Sequence, residues 1–516
     1  MSPHAVSAPS SSAPSVASPY ETSLSSMDDD IPSLVGDSRG SSNLHRFGDD
    51  EVQDLVAVGF GPASLAIAVA LHDSLEDPSL RRSRAPKVRF LEKQPKFAWH
   101  AGMLLPGAKM QITFLKDMAT LRNPQSEFTF LNYLHAKDRL VAFSNLNTFL
   151  PQRAEYEDYM RWCAEHFSDV VDYSQNVQKV ERGRINPQTG EVEYFNVTSV
   201  NYETGKQFTL KAKHVVISAG GRPHIPESLP EHHPRIIHSS QYLTHVHKIF
   251  PEGSQPKTVA VIGAGQSAAE CWHDIPSRFP GAQSLLLIRR AALRPSDDSP
   301  FVNEVFNPER VDDTFSQEPS LRQDALAADK ATNYGVVRLE FLERIYDEMY
   351  GYQLQYSREQ DWPHQILKYR SVTGMRDVNV DGKPAVELQI QNNSGMYCAS
   401  EDSGQETLTA DLVVVATGYL RNSHEEMLCS LQDLMPGETA HGKKWTVGRD
   451  YAVEFSPGTV SPEAGIWLQG CNEKTHGLSD TLLSILAVRG GEMVESIFGY
   501  PEESQQKDAI RGLELR

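Results

Sequence analysis

Two short glycine-rich stretches hold the residue types from which chemistry can be read. In the first, Val56-Ala57-Val58 runs into Gly59-Phe60-Gly61-Pro62-Ala63-Ser64. An apolar strand that turns through Gly-x-Gly into a helix presents backbone amides to a pyrophosphate. Gly59 permits the tight turn, Gly61 lets backbone approach the phosphates, and Ser64 is small enough for close helix–strand packing. The next strand ends Phe90-Leu91-Glu92-Lys93, and an acid at Glu92 suits an unphosphorylated ribose. In the second stretch, Val259-Ala260-Val261-Ile262 runs into Gly263-Ala264-Gly265-Gln266-Ser267-Ala268. Its following strand, Leu285-Leu286-Leu287-Ile288, ends in Arg289-Arg290 where the first has an acid. Guanidinium groups there suit a ribose 2′-phosphate, the alternative being solvated strand-end charges. The first turn therefore reads as an FAD site and the second as an NADPH site, with Gln266 and Ser267 beside the second pyrophosphate.

Two further apolar strands end in small residues: Val216-Ile217-Ser218-Ala219-Gly220-Gly221 and Val414-Val415-Ala416-Thr417-Gly418-Tyr419. Each reads as chain leaving a sheet past a bound dinucleotide, since glycine lets backbone pass close to a ligand. The elements that must position these turns are short β-branched runs alternating with helical patterns. Strands are expected at Asp54–Val58, Lys87–Leu91, His214–Ser218, Thr258–Ile262, Ser284–Ile288 and Asp411–Ala416, and a helix at Leu65–Leu71. Most of these strands are continuous apolar runs, which marks parallel strands covered on both faces. The fold class is α/β, doubly wound, with two Rossmann-like dinucleotide-binding domains and a substrate site between them.

The chain has 516 residues, with Lys+Arg 49 against Asp+Glu 68 and a net charge of −19. A basic surface for nucleic acid or an anionic membrane is not present in that balance. The five cysteines, Cys163, Cys271, Cys398, Cys429 and Cys471, are far apart and form no CxxC pair. A disulfide scaffold and a metal site are unsupported, and a reducing, cytoplasmic setting is expected. The missing cysteine pair also sets aside a disulfide reductase of this architecture. Residues 1–50 are Ser- and Pro-rich without hydrophobic periodicity, and are expected to be disordered. They match neither a signal peptide nor an Arg-rich presequence. Residues 51–250 and 410–500 are expected to form a discontinuous FAD domain. Residues 251–409 are expected to form the NADPH domain, with 295–340 as a substrate-binding segment and 370–408 as a hairpin-rich insertion. Residues 501–516 read as a polar tail.

The sequence resembles the microbial N-hydroxylating flavin monooxygenases, and most closely the fungal L-ornithine N(5)-monooxygenases of siderophore biosynthesis. The resemblance rests on Met110-Gln111-Ile112-Thr113-Phe114-Leu115-Lys116-Asp117, on Ser299-Pro300-Phe301-Val302-Asn303-Glu304-Val305-Phe306-Asn307-Pro308, and on Thr475-His476-Gly477-Leu478-Ser479-Asp480-Thr481-Leu482-Leu483-Ser484. The family signature D-x3-(L/F)-ATGY-x4-(H/P) appears as Asp411…Ala416-Thr417-Gly418-Tyr419…His424, with Val415 in the Leu/Phe position. The resemblance implies an enzyme in which NADPH reduces FAD and dioxygen then forms a C(4a)-hydroperoxyflavin. The neutral side-chain amine of L-ornithine takes the distal oxygen, giving N(5)-hydroxy-L-ornithine in the first step of hydroxamate siderophore biosynthesis. It also implies a homotetramer. Such an amine starts from a pKa near ~10.4 and must lose its proton, which desolvation favours. L-Lysine, one methylene longer, is the alternative substrate. A dinucleotide-binding sensor without turnover is the alternative of another class, disfavoured by retention of Lys116 and Asn303.

By resemblance, Lys116 meets the substrate α-carboxylate, the other reading being an ion pair with Asp117. Asn303 binds the amino-acid end, helped by Glu304, Val305 and Phe306. Asn333 touches both substrate and NADP, with Tyr334 and Gly335 on the NADP side. Ser484 is the last substrate contact, or else a helix serine bonded one turn back. Gln111, Trp99 and His100 line the flavin cleft, and Val177 lies where backbone holds the adenine. Ser479-Asp480 are expected to cap a last helix, Thr481–Phe498, whose N-terminus would place Thr481, Leu482 and Leu483 on the flavin. The flavin carries the chemistry, so no side chain is assigned as catalytic.

Overall fold

The computed structural model describes residues 42–76, 85–397, 403–437 and 444–499. The first sheet contains β1 (Val52–Val58), β2 (Val88–Leu91), β3 (Val171–Asp172), β4 (Gln175–Arg182), β5 (Phe195–Asn201) and β6 (Gln207–Ile217). Their order is β3-β2-β1-β6-β5-β4, and a late strand, Gly465–Leu468, joins the sheet beside β6. β3, β2, β1, β6 and the late strand run parallel, while β5 and β4 fold back antiparallel. β1 is buried on both faces, as its continuous apolar run requires. Leu55 and Ala57 face a core with helix α1 (Pro62–Glu76), whereas Val56 and Val58 face a second core under β4–β6.

The second sheet has β7 (Ile236–His238), β8 (Thr258–Ile262), β9 (Gln283–Leu287), β10 (His364–Leu367) and a strand at Leu412–Val415. Its order is β10-β9-β8, then Leu412–Val415, then β7, all parallel. Helix α2 (Gln266–Arg278) and helix α3 (Leu339–Gln355) cover one face. An antiparallel three-stranded sheet, β11 (Arg370–Val380), β12 (Lys383–Asn392) and β13 (Gly404–Ala410), covers the other.

All six expected strands form, and the expected helix is longer at both ends. Three expectations are corrected. Leu412–Val415 does not return to the first sheet but lies between β8 and β7, so the crossing back comes only at Gly465–Leu468. β7 likewise belongs to the second sheet, although residues up to 250 were expected in the first. Within the expected disordered segment, residues 42–50 are docked. Leu44 is in the core, Arg46 pairs with Asp172 at 2.9 Å, and Asp49 pairs with the buried Arg89. Residues 1–41 and 501–516 lie outside the described residues. Among the described residues no helix is long and apolar enough to cross a membrane.

The last helix, α4 (Leu486–Phe498), packs along α1. The helices meet at Gly490, where a Cβ would come within 2.6 Å of the Ala66 carbonyl oxygen. Backbone cannot yield like a flexible side chain. Gly490→Ala is expected to destabilise the flavin-loaded protein by about 1–3 kcal/mol. A thermal melt checks this, and an unchanged midpoint would contradict the close approach.

Candidate functional site

The two glycine turns are built alike. Gly59 has φ +90 and Gly263 has φ +144. A Cβ on Gly59 would lie 2.6 Å from the Ser218 carbonyl oxygen, and one on Gly263 would lie 2.5 Å from that of Ala416. Each turn therefore touches one of the two small-residue strand ends. Around Gly61 no atom lies within 4 Å of a would-be Cβ, so that side of the turn is open. Ser64 is fully buried and, among the described residues, its hydroxyl has no partner. Glu92 is buried, and its carboxylate accepts from Phe60 N at 2.7 Å and Gln94 N at 2.9 Å. Lys93 beside it is exposed. β4 begins against this corner, with Gln175 N donating to the Glu92 carbonyl at 2.8 Å. The β4–β5 ladder slips between Val177 and Lys179, a bulge that disturbs regular pairing at Val177.

The wall beyond Glu92 carries Trp99 and His100, whose rings meet edge to face at 4.9 Å. The His100 ring also meets Tyr419 edge to face at 5.9 Å. Desolvation by the surrounding protein, then Arg153, Arg421 and His238, push its pKa down to about 4. It is therefore neutral at pH 7. Gln111 is exposed on the loop that leads to Lys116. Tyr156, fully buried, donates its hydroxyl to the Lys116 carbonyl at 2.9 Å and anchors that loop. Burial lowers the Lys116 pKa, with Glu309 acting against it at longer range. Asp117 is not its partner. That carboxylate accepts from Ala119 N, Thr120 N, Thr120 Oγ1 and Phe130 N at 2.6–2.9 Å. Among the described residues, Lys116 has no ion-pair contact.

Residues 296–337 form an arm closed at its base. Ser296 N donates to the Val337 carbonyl at 2.8 Å and Asp297 N to that of Thr332 at 3.1 Å. Along the arm, Glu304–Phe306 packs on Leu478–Thr481, with Phe306 buried and Val305 beside it. Asn303 Nδ2 donates to the Asp298 carbonyl at 2.9 Å, which fixes its amide and leaves its oxygen available. Asn333 ends the helix Pro319–Asn333, with Nδ2 on Thr332 Oγ1 at 2.9 Å. Tyr334 donates its hydroxyl to Glu473 at 2.8 Å and lies 3.1 Å from Thr481 Oγ1. Gly335, at φ +68, backs onto Gly265, where a Cβ would meet it at 3.4 Å. The arm thus brings the second glycine turn and the Leu478–Ser484 segment together.

The expected cap of the last helix is corrected. Leu478–Thr481 is a single 3-10 turn, Leu482 is extended, and α4 starts only at Leu486. The reason is that Asp480 turns inward. It pairs with Arg489 at 2.9 Å and accepts from Asn472 N at 2.7 Å, with both charged groups buried. Thr481–Leu483 therefore do not sit at a helix N-terminus. Ser484 is buried and, among the described residues, its hydroxyl has no partner, so it is not bonded one turn back.

At the second turn, Gly265 caps α2 and the amides of its first turn are available. Ala264 and Ser267 are half-buried beside it. The Gln266 side chain is already engaged, donating to Glu270 at 2.8 Å and accepting from Arg338 N at 2.9 Å. Arg289 and Arg290 are exposed beyond the end of β9. Sequence reasoning missed the link between the two units. Arg153 makes two 2.9 Å bonds to Glu270 and one of 2.7 Å to the Met103 carbonyl. Gln469 was also missed. It is buried beside Ser218, 2.7 Å from its hydroxyl, with Oε1 unpartnered. No motif marked either.

Two sheets with parallel central strands, each with a Gly-x-Gly turn against a small-residue strand end, define a two-dinucleotide oxidoreductase architecture. The L-lysine 6-monooxygenase/L-ornithine 5-monooxygenase family model matches residues 51–421. The L-ornithine N(5)-monooxygenase of Cochliobolus heterostrophus is 52% identical over 535 residues, covering 100% of both chains. The solved ornithine hydroxylase of Pseudomonas aeruginosa superposes with TM-score 0.75 at 36% identity, covering 87% of this chain and 99% of that one. The ornithine N-hydroxylase of Kutzneria sp. 744, with reduced FAD, NADP+ and L-ornithine, gives TM-score 0.75 at 32% identity, covering 87% and 99%. The chain belongs to the lysine/ornithine N-monooxygenase family.

The Asp480–Arg489 pair supports the segment that the arm touches. Asp480→Ala would leave the Arg489 guanidinium buried and unpaired, a loss of about 3–5 kcal/mol. Chemical denaturation of the flavin-loaded protein measures it, and wild-type stability would show that the pair does not hold the turn.

Proposed function

We propose that this chain is an NADPH- and FAD-dependent monooxygenase that hydroxylates the side-chain amine of L-ornithine. The product is N(5)-hydroxy-L-ornithine, a precursor for hydroxamate siderophores. The observation that carries the reading is similarity over the whole chain to proteins named as ornithine N(5)-monooxygenases. Among the described residues the buried Ser64 hydroxyl has no partner, and with the open side of Gly61 it suits the FAD pyrophosphate. The Ser484 hydroxyl, likewise buried and unpartnered among the described residues, suits the amino acid.

When bound, the flavin accepts a hydride from the nicotinamide and activates dioxygen to deliver one oxygen atom to the amine. The chain's own task is to bind, orient and exclude water. In this proposal Gly59, Gly61, Pro62, Ser64, Glu92, Lys93 and Val177 hold the adenosine and phosphates of FAD. Trp99, His100, Gln111 and Thr481–Leu483 border its ring. Gly263–Ser267, Arg289 and Asn333–Gly335 hold NADPH, with Gln266 acting through its backbone amide because its side chain is engaged. Lys116, Asn303–Phe306, Asn333 and Ser484 hold the amino acid. A half-buried lysine that makes no close ion pair among the described residues meets the substrate carboxylate. The amine of a chain of the correct length then reaches the flavin, and lysine overshoots by one methylene. The proposal includes a cytoplasmic homotetramer, whose mass light scattering would read.

The direct assay measures NADPH consumption and hydroxylamine product with ornithine, with lysine and with no amino acid. Product from ornithine alone supports the proposal, and equal product from lysine overturns the substrate assignment. Lys116→Ala is expected to raise the ornithine KM at least about tenfold, the loss of a charge-assisted contact. Flavin reduction by NADPH should stay near wild type, and an unchanged KM would refute the carboxylate role. Arg289→Ala is expected to raise the KM for NADPH far more than for NADH. Equal losses for both would reject the 2′-phosphate contact.

A further inference from the structure

The insertion β11–β13 packs on the second sheet through Val386, Leu388, Ile390 and Ala410, and its start lies at the end of β9. β10 ends at Leu367, in register with Leu287 at the end of β9. Two residues on, Tyr369 has φ +58, a left-handed backbone that a bulky side chain seldom adopts. Both of its backbone groups are held. Its amide donates to the Arg290 carbonyl at 3.3 Å, and its carbonyl accepts from Asn393 N at 3.0 Å. The Tyr369 backbone is thus held beside Arg290, the second of the two strand-end arginines.

The short helix Ser394–Tyr397 lays a second ring on that of Tyr369. The centroids of Tyr369 and Tyr397 are 4.5 Å apart with planes 7° from parallel. Tyr397 is 67% exposed and neighbouring Met396 is 74% exposed, so the stack belongs to no core. The insertion does not depend on it for anchorage. Arg370 binds Glu406 through two 3.1 Å bonds and Ser394 Oγ at 2.7 Å, and Asn392 donates to Glu406 at 2.6 Å. Backbone strain held in place by surrounding bonds, with exposed aromatic faces at strand C-termini, is the pattern of a ligand platform.

We propose that Tyr369 and Tyr397 form a stacking platform for the adenine of NADPH, beside the arginines that take its 2′-phosphate. The inference rests on the NADPH reading above. It gives the insertion a role: to carry an aromatic face to the adenosine end of the cofactor. A flat π-face recognises the base in NADPH and NADH alike, whereas the arginines separate the two.

The test is calorimetric titration of the flavin-loaded, full-length protein with adenosine 2′,5′-bisphosphate, which lacks the nicotinamide. Tyr397→Ala is expected to weaken binding by about five- to a hundredfold, the range for losing one base–aromatic stack. Tyr397→Phe should bind like wild type, because the ring and not the hydroxyl is used. Tyr397→Ala should also raise the KM for NADPH and NADH by similar factors while leaving the ornithine KM unchanged. Wild-type bisphosphate affinity in Tyr397→Ala would overturn the platform. So would equal losses in the Ala and Phe variants. Failure of the wild-type protein to bind the bisphosphate would instead overturn the NADPH reading, and the platform with it.

Discussion

The rest of the site depends on one largely buried ion pair. Arg153, on the helix Arg153–Glu165 packed against the first sheet, forks onto Glu270 of α2 on the second. Two parallel N–H···O bonds between a planar guanidinium and a carboxylate fix angle as well as distance. The same guanidinium holds the Met103 carbonyl, Gln266 bonds to Glu270, and Arg338 N bonds to Gln266. The chain of contacts therefore joins the loop leading to Gln111, the N-terminus of α2 and the base of the arm. In the proposed reading, two cofactors held in separate units can react only if those units keep their relation, and a displacement of about 1 Å can cost about a hundredfold in rate. Neither partner can be lost cheaply, since each leaves the other buried and charged.

A second constraint acts at the far end of the arm. The arm closes at its base on the second unit and lands on Leu478–Thr481, which Asp480–Arg489 braces from beneath. Tyr334 joins the landing directly to Glu473 and Thr481. Lys116 approaches from the first unit on a loop tied down by Tyr156. In the proposed reading, a substrate carboxylate is met by a cation from one unit while its amino-acid end meets the arm from the other. Selection by chain length then follows from two rigid attachments, not from pocket chemistry alone.

What could be read from the sequence was local. Gly59 and Gly263 follow apolar runs and precede helices, and each obeys a turn geometry spanning a few residues. The strands were readable because burial on both faces leaves a continuous apolar run. Leu412–Val415 was readable as a strand but not as a member of one sheet, because either sheet buries the same side chains. The start of α4 was misplaced because Ser-Asp before an apolar run is a capping pattern, and only Arg489, nine residues on, diverts Asp480 inward. Residues 42–50 were read as tail because one buried leucine and two surface charges do not alter the composition of a Ser/Pro-rich stretch. The Arg153–Glu270 pair spans 117 residues and has no periodic or motif signature. Its partners are ordinary helix residues until the fold brings them together.

The most direct test of this account follows the rate at which NADPH reduces the flavin, without oxygen, in the Glu270→Gln protein by rapid-mixing absorbance. Glutamine keeps the shape but not the charge of the clasp. The account predicts reduction slowed by about tenfold or more, with flavin content and adenosine 2′,5′-bisphosphate affinity unchanged. A wild-type reduction rate at the same flavin content would show that the two units keep their relation without the pair, and would contradict the account.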